Sequence, residues 1–398
     1  MIDHPEEIIS VADRSSATPA TGFRADIQAM RALAVLLVLA YHAHLPGAHA
    51  GFLGVDVFFV ISGFVITNVL LKERARTAGT SLPDFYGRRI RRILPAATVV
   101  LIATLIATSH WLGPIIGVQT AGDAKWVAAF LGNFHFAAVG TNYLTANNPP
   151  STLQQYWSLA VEEQFYLVWP LLFVGAALLA RRRSVTPVLL VVLGVVIAVS
   201  LFWSIHQTPQ NPVVAFNSPF TRAWELALGG LLAVTAPIML GGPRWLGHGL
   251  RVLGFGGVLA STWFLTSASL WPGANSILPV LSAGAMVAGG SILADRAFGP
   301  VTNFAPIQWI GLISYSLYLV HWPILTIPSE YSFTALPRHS EIELALLSIA
   351  VAAVLYFAVE RPLRKQAFLV ERRWSTYLLG ALLIAASYAT ISWYLRHH

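Results

Sequence analysis

Apolar runs of about twenty residues recur along the whole of this chain, and no other feature constrains its fold as strongly. A helix rises about 1.5 Å per residue, so one such run crosses the ~30 Å hydrocarbon core of a bilayer. Only 11% of the 398 residues are charged and 56% are hydrophobic, whereas a soluble domain is about a quarter charged. The pattern predicts an all-α polytopic membrane protein embedded in the lipid bilayer, with about eleven transmembrane helices. They fall at roughly 27–45, 52–71, 94–112, 158–180, 186–204, 219–240, 249–268, 276–293, 307–327, 341–360 and 376–395.

A twelfth apolar stretch, 124–139, is short and interrupted (KWVAAFLGNFHFAAVG), and charge decides its fate. If it does not cross, twenty of the 25 Lys and Arg fall on one side, including Arg14, Arg24, Arg181–Arg183, Arg296 and the basic loops 72–92 and 361–373. The positive-inside rule makes that side the cytoplasm. The N-terminus is then cytoplasmic and the C-terminus extracytoplasmic, as expected of a multi-pass protein of the cell inner (plasma) membrane. Residues 113–157 form an outer excursion, shielded by protein wherever it dips into the membrane. Residues 1–22 lack the basic-then-apolar order of a signal peptide and are expected to be a disordered tail.

Several function classes drop out. With no cysteine there is no thiolate catalysis, disulfide or Cys metal site. The net charge of +7 lies between apolar spans, where topology explains it better than nucleic-acid binding. His42, His44 and His49 show no supporting zinc spacing, so no metal is expected. The two halves show no inverted repeat of the transporter kind.

Ionisable groups inside spans are costly, so each is a candidate for function. Arg31 and His42 share one face of the first span, eleven residues and about 16 Å apart. Asp56 opens the second span, and Gly63 and Thr67 follow on the same face, where the glycine admits close approach of a helix or ligand. QQYWSLAVEEQFYLVWP carries Ser158, Glu162 and Glu163; SPFTRAWELALGG carries Arg222 and Glu225; GLISYSLYLVHWPI carries Ser314, Tyr315 and His321. Most of these lie in the outer half of their spans, which predicts one polar chamber reachable from outside. On the cytoplasmic side, Arg88, Arg89, Arg91 and Arg92 concentrate guanidinium groups suited to phosphate. Together they suggest a phosphate-bearing donor entering from the cytosol, and a histidine that activates a hydroxyl.

Seven segments, in order from residue 24 to about 365, resemble membrane-bound acyltransferase family 3, the type that acylates O-antigen sugars and macrolides. They are RADIQAMRALAVLLVLAYH, GVDVFFVISGFVIT, FYGRRIRRILP, YWSLAVEEQFYLVWP, SPFTRAWELALGG, GLISYSLYLVHWPI and VERPLRK. The resemblance implies a ten-helix acyltransferase domain over 23–365 and an added helix within 366–398. It implies transfer of an acyl group, commonly acetyl, from acyl-CoA to a hydroxyl of an outer glycan or glycolipid. It points to His42 as base, with Glu162, Glu163 and Asp56 as further catalytic candidates. Arg89, Arg92 and Arg88 would serve the donor, and Arg31 would serve the donor or support His42; Arg222, Glu225, Ser158, Tyr315 and His321 would serve the acceptor. The carboxylate partner of His42 is either Asp56 or Glu162. In some members the added helix leads to an outer SGNH-type domain; no GDS-type nucleophile follows here, so such a domain is absent, missing from a fragment, or a separate partner chain. The competing reading is a proton-coupled transporter of glycan precursors or drugs, with the buried His, Asp and Glu as its relay.

Overall fold

The computed structural model describes residues 24–77, 79–140, 150–181, 183–293, 299–332 and 336–398. The expected tail at 1–22, and Arg14, Arg182 and Arg296 of the charge argument, lie outside them.

The described residues form helices joined by short turns, with no strand among them. In chain order they are α1 (Ala25–His42), α2 (Gly54–Thr77), α3 (Leu82–Leu112), α4 (Pro114–Ala128), α5 (Gly132–Ala138), α6 (Tyr156–Ala180), α7 (Thr186–Gln210), α8 (Pro212–Asn217), α9 (Pro219–Met239) and α10 (Arg244–Phe264). There follow α11 (Ile277–Leu293), α12 (Gly299–Thr302), α13 (Ala305–Ser332), α14 (Arg338–Leu355), α15 (Arg361–Lys365), α16 (Ala367–Glu371) and α17 (Arg373–His397). A π-turn, Tyr356–Glu360, joins α14 to α15.

A long helix stands at each of the eleven expected positions. Nine segments among the described residues are both long and apolar enough to cross a membrane. Helices α9 and α10 are of spanning length but are not among the nine, because Arg222 and Glu225 in one, and Arg244, His248 and Arg251 in the other, dilute their apolarity. The stretch 124–139 falls on α4 and α5, neither of them among the nine. Large apolar side chains point outward on many helices: Leu178 and Leu179 on α6 are 72% and 74% exposed. Such a surface suits lipid, and the chain is a multi-pass membrane protein.

Lipid tails are as apolar as leucine, so close packing and polar contacts must hold these helices together. Helix α2 is buried against α1 and α9, α1 against α13, α13 against α14, and α3 against α17. The α2–α9 crossing depends on Gly63 and Gly229. A methyl on Gly63 would collide with the Leu226 carbonyl, and one on Gly229 with the Val60 carbonyl. Nearby, Trp169 Nε1 donates to Thr67 Oγ1 at 2.9 Å.

Proline shapes α13. Pro323 has no N–H, so the Leu319 carbonyl four residues back loses its helical donor. The Gln155 amide fills the gap, donating to that carbonyl at 3.0 Å and tying the start of α6 to the bend. The Tyr315 and Tyr156 hydroxyls similarly donate to the Ile93 and Ala97 carbonyls of α3, at 2.9 and 2.8 Å. These bonds fix α3, α6 and α13 around the interior.

Candidate active site

Helices α1, α2, α3, α6 and α13, with Ala236 of α9, line a cavity of about 350 Å³. Arg24 and Lys72 lie at one end, since α1 and α2 run antiparallel, Arg24 caps the start of α1 and Lys72 lies in the last two turns of α2. Arg31 and Arg92 line its middle. Glu162 faces the same space and accepts from Ser62 Oγ at 2.5 Å and from the Tyr166 hydroxyl. Arg24 is held by Asp26 at 2.6 Å, and Arg31, Lys72 and Arg92 stand against the one carboxylate that lines the cavity, Glu162; the lining keeps a net positive charge, which favours an anionic occupant.

Hydroxyls mark the far end. Ser158 Oγ lies 2.5 Å from the Tyr318 hydroxyl, and both line the cavity. The Gln155 carbonyl lies 3.4 Å from Ser158 Oγ and 3.1 Å from the Tyr318 hydroxyl; each hydroxyl has one proton, so one donates to the other and only the second donates to the carbonyl. Three residues beyond Tyr318 on α13 comes His321, 1% exposed, with its ring 5.5 Å from that of Tyr318. His321 Nε2 lies 3.0 Å from His42 Nδ1 at the end of α1. The two imidazoles lie side by side, centroids 5.1 Å apart and planes 26° from parallel, and the Trp322 ring meets His42 edge-on at 4.7 Å. Cavity and histidine pair thus adjoin through one residue, Tyr318.

A third polar group sits between α2 and α9. Arg222 Nη2 lies 3.0 Å from Asp56 Oδ1, and Nη1 lies 3.1 Å from Glu225 Oε1. All three side chains are at most 1% exposed. The guanidinium also rests among the Phe59, Trp157 and Phe216 rings, at 5.4, 5.8 and 6.0 Å. Phe59 lines the cavity as well, so this cluster abuts it from the side.

The expected single chamber is therefore three adjoining groups. Asp56 and Glu162, offered as alternative partners of His42, are engaged by Arg222 and by two hydroxyls respectively. The ring partner placed beside His42 is His321, which sequence reasoning had set on the acceptor. The arginine cluster also divides. Arg92 lines the cavity, while Arg89 stacks on Tyr166 at 4.9 Å. Arg88, 42% exposed at its side chain, pairs with Glu73 at 2.7 Å. Arg91 donates to Thr376 Oγ1 and the Leu369 carbonyl and so anchors α17. Tyr315 lines the cavity, whereas Glu163 Oε1 is buried without a hydrogen bond. His44, set aside as a zinc ligand, pairs with Glu341 at 2.7 Å.

Sequence reasoning missed Tyr318, Ser62, Arg24 and Lys72 as parts of this site. Tyr318 was within reach of it, because the spacing Tyr-x-x-His on one helix puts both on one face. Ser62 gives no such signal, since its partner Glu162 lies a hundred residues on.

Comparison with known proteins places this architecture. The chain is 30% identical to "Peptidoglycan O-acetyltransferase OatA" of Listeria monocytogenes over 86% of its own length and 56% of that protein's. It is 29% identical to "Putative peptidoglycan O-acetyltransferase YrhL" of Bacillus subtilis, over 86% and 55%. It is 30% identical to "O-acetyltransferase OatA" of Staphylococcus aureus, over 86% and 57%. The chain thus spans little more than half the length of these relatives. No solved structure matches. The family model described as "Acyltransferase domain" matches residues 24–360, from the arginine at the cavity's end to the last residue of the π-turn, and the chain belongs to that family, acyltransferase family 3.

Proposed function

We propose that this protein is a membrane O-acyltransferase that moves an acyl group, in the first instance acetyl, from acyl-CoA to a hydroxyl of a cell-surface glycan. One observation carries the reading: a cavity lined by Lys72, Arg31 and Arg92 runs to a pair of hydroxyls one helical turn from two histidines in nitrogen-to-nitrogen contact. Coenzyme A has the matching shape, with phosphates at one end and a thin arm ending in the thioester. The basic end faces the cytosol by the positive-inside bias, and the acceptor approaches from the opposite face.

In this reading His42 takes the proton of the acceptor hydroxyl. The hydroxyl oxygen attacks the thioester carbonyl carbon, a C–O bond forms, and the C–S bond breaks. The departing thiolate takes up the proton, leaving free thiol and a new ester. Ser158 and Tyr318 supply hydroxyls where the carbonyl oxygen gains charge. Peptidoglycan is the first acceptor to test, because the relatives' printed names specify it. An outer SGNH-type protein on a separate chain is the second, because nearly half of each relative lies outside the matched region.

The deciding experiment is calorimetry of acetyl-CoA with the detergent-purified protein, followed by transfer of labelled acetyl to glycan in proteoliposomes. Binding lost on Arg31→Ala plus Arg92→Ala, and transfer lost on His42→Ala, are the expected results. No binding to the unaltered protein would end the acyl-CoA reading. Proton-driven solute uptake without acyl-CoA would put a transporter in its place.

A further inference from the structure

We propose that His321 is a positioning residue that fixes the tautomer of His42 and so decides which of its ring nitrogens acts as base. The inference rests on His42 being that base.

The argument starts from the backbone of α13. His321 Nδ1 lies 2.7 Å from the Tyr318 carbonyl and 3.2 Å from the Leu317 carbonyl, three and four residues back on its own helix. A carbonyl oxygen can only accept, so Nδ1 must carry a proton. Among the described residues no carboxylate pairs with His321, so a second ring proton would have no counter-charge. With one proton, on Nδ1, the ring offers a lone pair at Nε2. That nitrogen faces His42 Nδ1 at 3.0 Å. Two lone pairs repel at that distance, so His42 Nδ1 must be the donor. The lone pair of His42 then resides on Nε2.

Two helix carbonyls thus set, through His321, a proton position on a ring 279 residues from that histidine in sequence. In a serine-protease triad a carboxylate does this work. Here a neutral imidazole does it, held by main chain rather than by a side chain that must itself be positioned. The near-coplanar contact of the two rings and the edge of Trp322 hold the plane of His42 as well. When His42 Nε2 takes a hydroxyl proton, Nδ1–H remains and strengthens its bond to His321. The carbonyl that anchors this chain belongs to Tyr318, whose hydroxyl ends the cavity. One residue therefore links the place of the acyl group to the orientation of the base.

The test compares His321→Gln, whose amide oxygen can accept from His42 Nδ1–H, with His321→Leu, which fills similar space and cannot. Both are assayed for acetyl-CoA binding and for kcat and KM of transfer. His321→Leu should lower kcat by about 100-fold or more with donor binding unchanged, and His321→Gln should recover at least about tenfold of that loss. In the His42→Ala background His321→Leu should change nothing further, because its effect passes through the ring already removed. Equal activity of the leucine and glutamine variants, high or low, or additive losses in the double variant, would overturn the proposal. If His42→Ala itself kept full activity, the base assignment would fail instead, which is a distinguishable result. Should His321→Leu fail to bind acetyl-CoA, His321→Met takes its place in the same comparison, since a flexible thioether repacks irregular sites.

Discussion

Arg222→Met removes the one guanidinium that two buried carboxylates share. Asp56 and Glu225 are each 0% exposed, and their distances to it are 3.0 and 3.1 Å. Water cannot reach either oxygen pair to replace the lost charge. Stranding one partner of a buried ion pair costs about 3–5 kcal/mol, and the two carboxylates here also repel each other once the cation is gone. The expected loss is therefore about 3–5 kcal/mol at the least, while methionine keeps part of the contact with Phe59, Trp157 and Phe216. The triple variant Asp56→Leu, Arg222→Met, Glu225→Met leaves no charge stranded. Replacing a whole buried ion cluster by apolar groups of similar volume is often neutral, so this variant should come within about 1–2 kcal/mol of the unaltered protein. The assay is the monodisperse fraction left after graded heating in detergent, checked by denaturant titration. If Arg222→Met matches the unaltered protein, or the triple variant is no more stable than the single one, the cluster does not carry the charges assigned to it. The triple variant also serves function. If it is stable and still transfers acetyl, Asp56 is no part of the chemistry around His42.

Three further outcomes follow from the packing and the cavity. Arg92→Ala should weaken acetyl-CoA binding by about tenfold or more, the loss of a charge-assisted contact, whereas Arg88→Ala should stay within about twofold because that exposed side chain already pairs with Glu73; calorimetry reads both. Gly63→Ala should cost about 1–3 kcal/mol in the heating assay, since its methyl meets the Leu226 carbonyl and α2 must move off α9. Gln155→Leu should cost about 1–3 kcal/mol by stranding the Leu319 carbonyl, and adding Pro323→Ala should return much of it, because alanine at 323 restores the missing helix N–H.

The placement of the helices could be read in the sequence because a span announces itself within its own twenty residues. Gly63 was legible for the same reason: its face on α2 is set by local periodicity, and α9 does approach there. Partners were not legible. Asp56 stands fourteen residues from His42, and that nearness suggested a pair; the first turn of α2 instead turns it toward α9 and Arg222. His42 meets a histidine 279 residues away, and no spacing rule reaches that far. The arginines at 88–92 looked equivalent because the sequence fixes only their angles around α3. Their neighbours Glu73, Tyr166 and Thr376, which divide their roles, come from three other helices. The π-turn that buries Glu360 against Ser316 Oγ, at 2.9 Å, left no mark that periodicity could detect.

The hydroxyl-lined end of the cavity bears, in the proposed reaction, on the cell's energy supply. A passage wet from one face of a membrane to the other would conduct protons and discharge the gradient that the membrane maintains. The space between α1, α2, α3, α6 and α13 is lined as far as the Ser158 and Tyr318 hydroxyls, and the histidine pair is not among its lining residues. In the proposed reaction the Ser158 and Tyr318 hydroxyls, 2.5 Å apart beside the Gln155 carbonyl, have few bonds to exchange when an acyl group arrives or leaves. If the proposed acetyl transfer runs by this route, a fragment of two carbons crosses at a point that need never hold a continuous file of water.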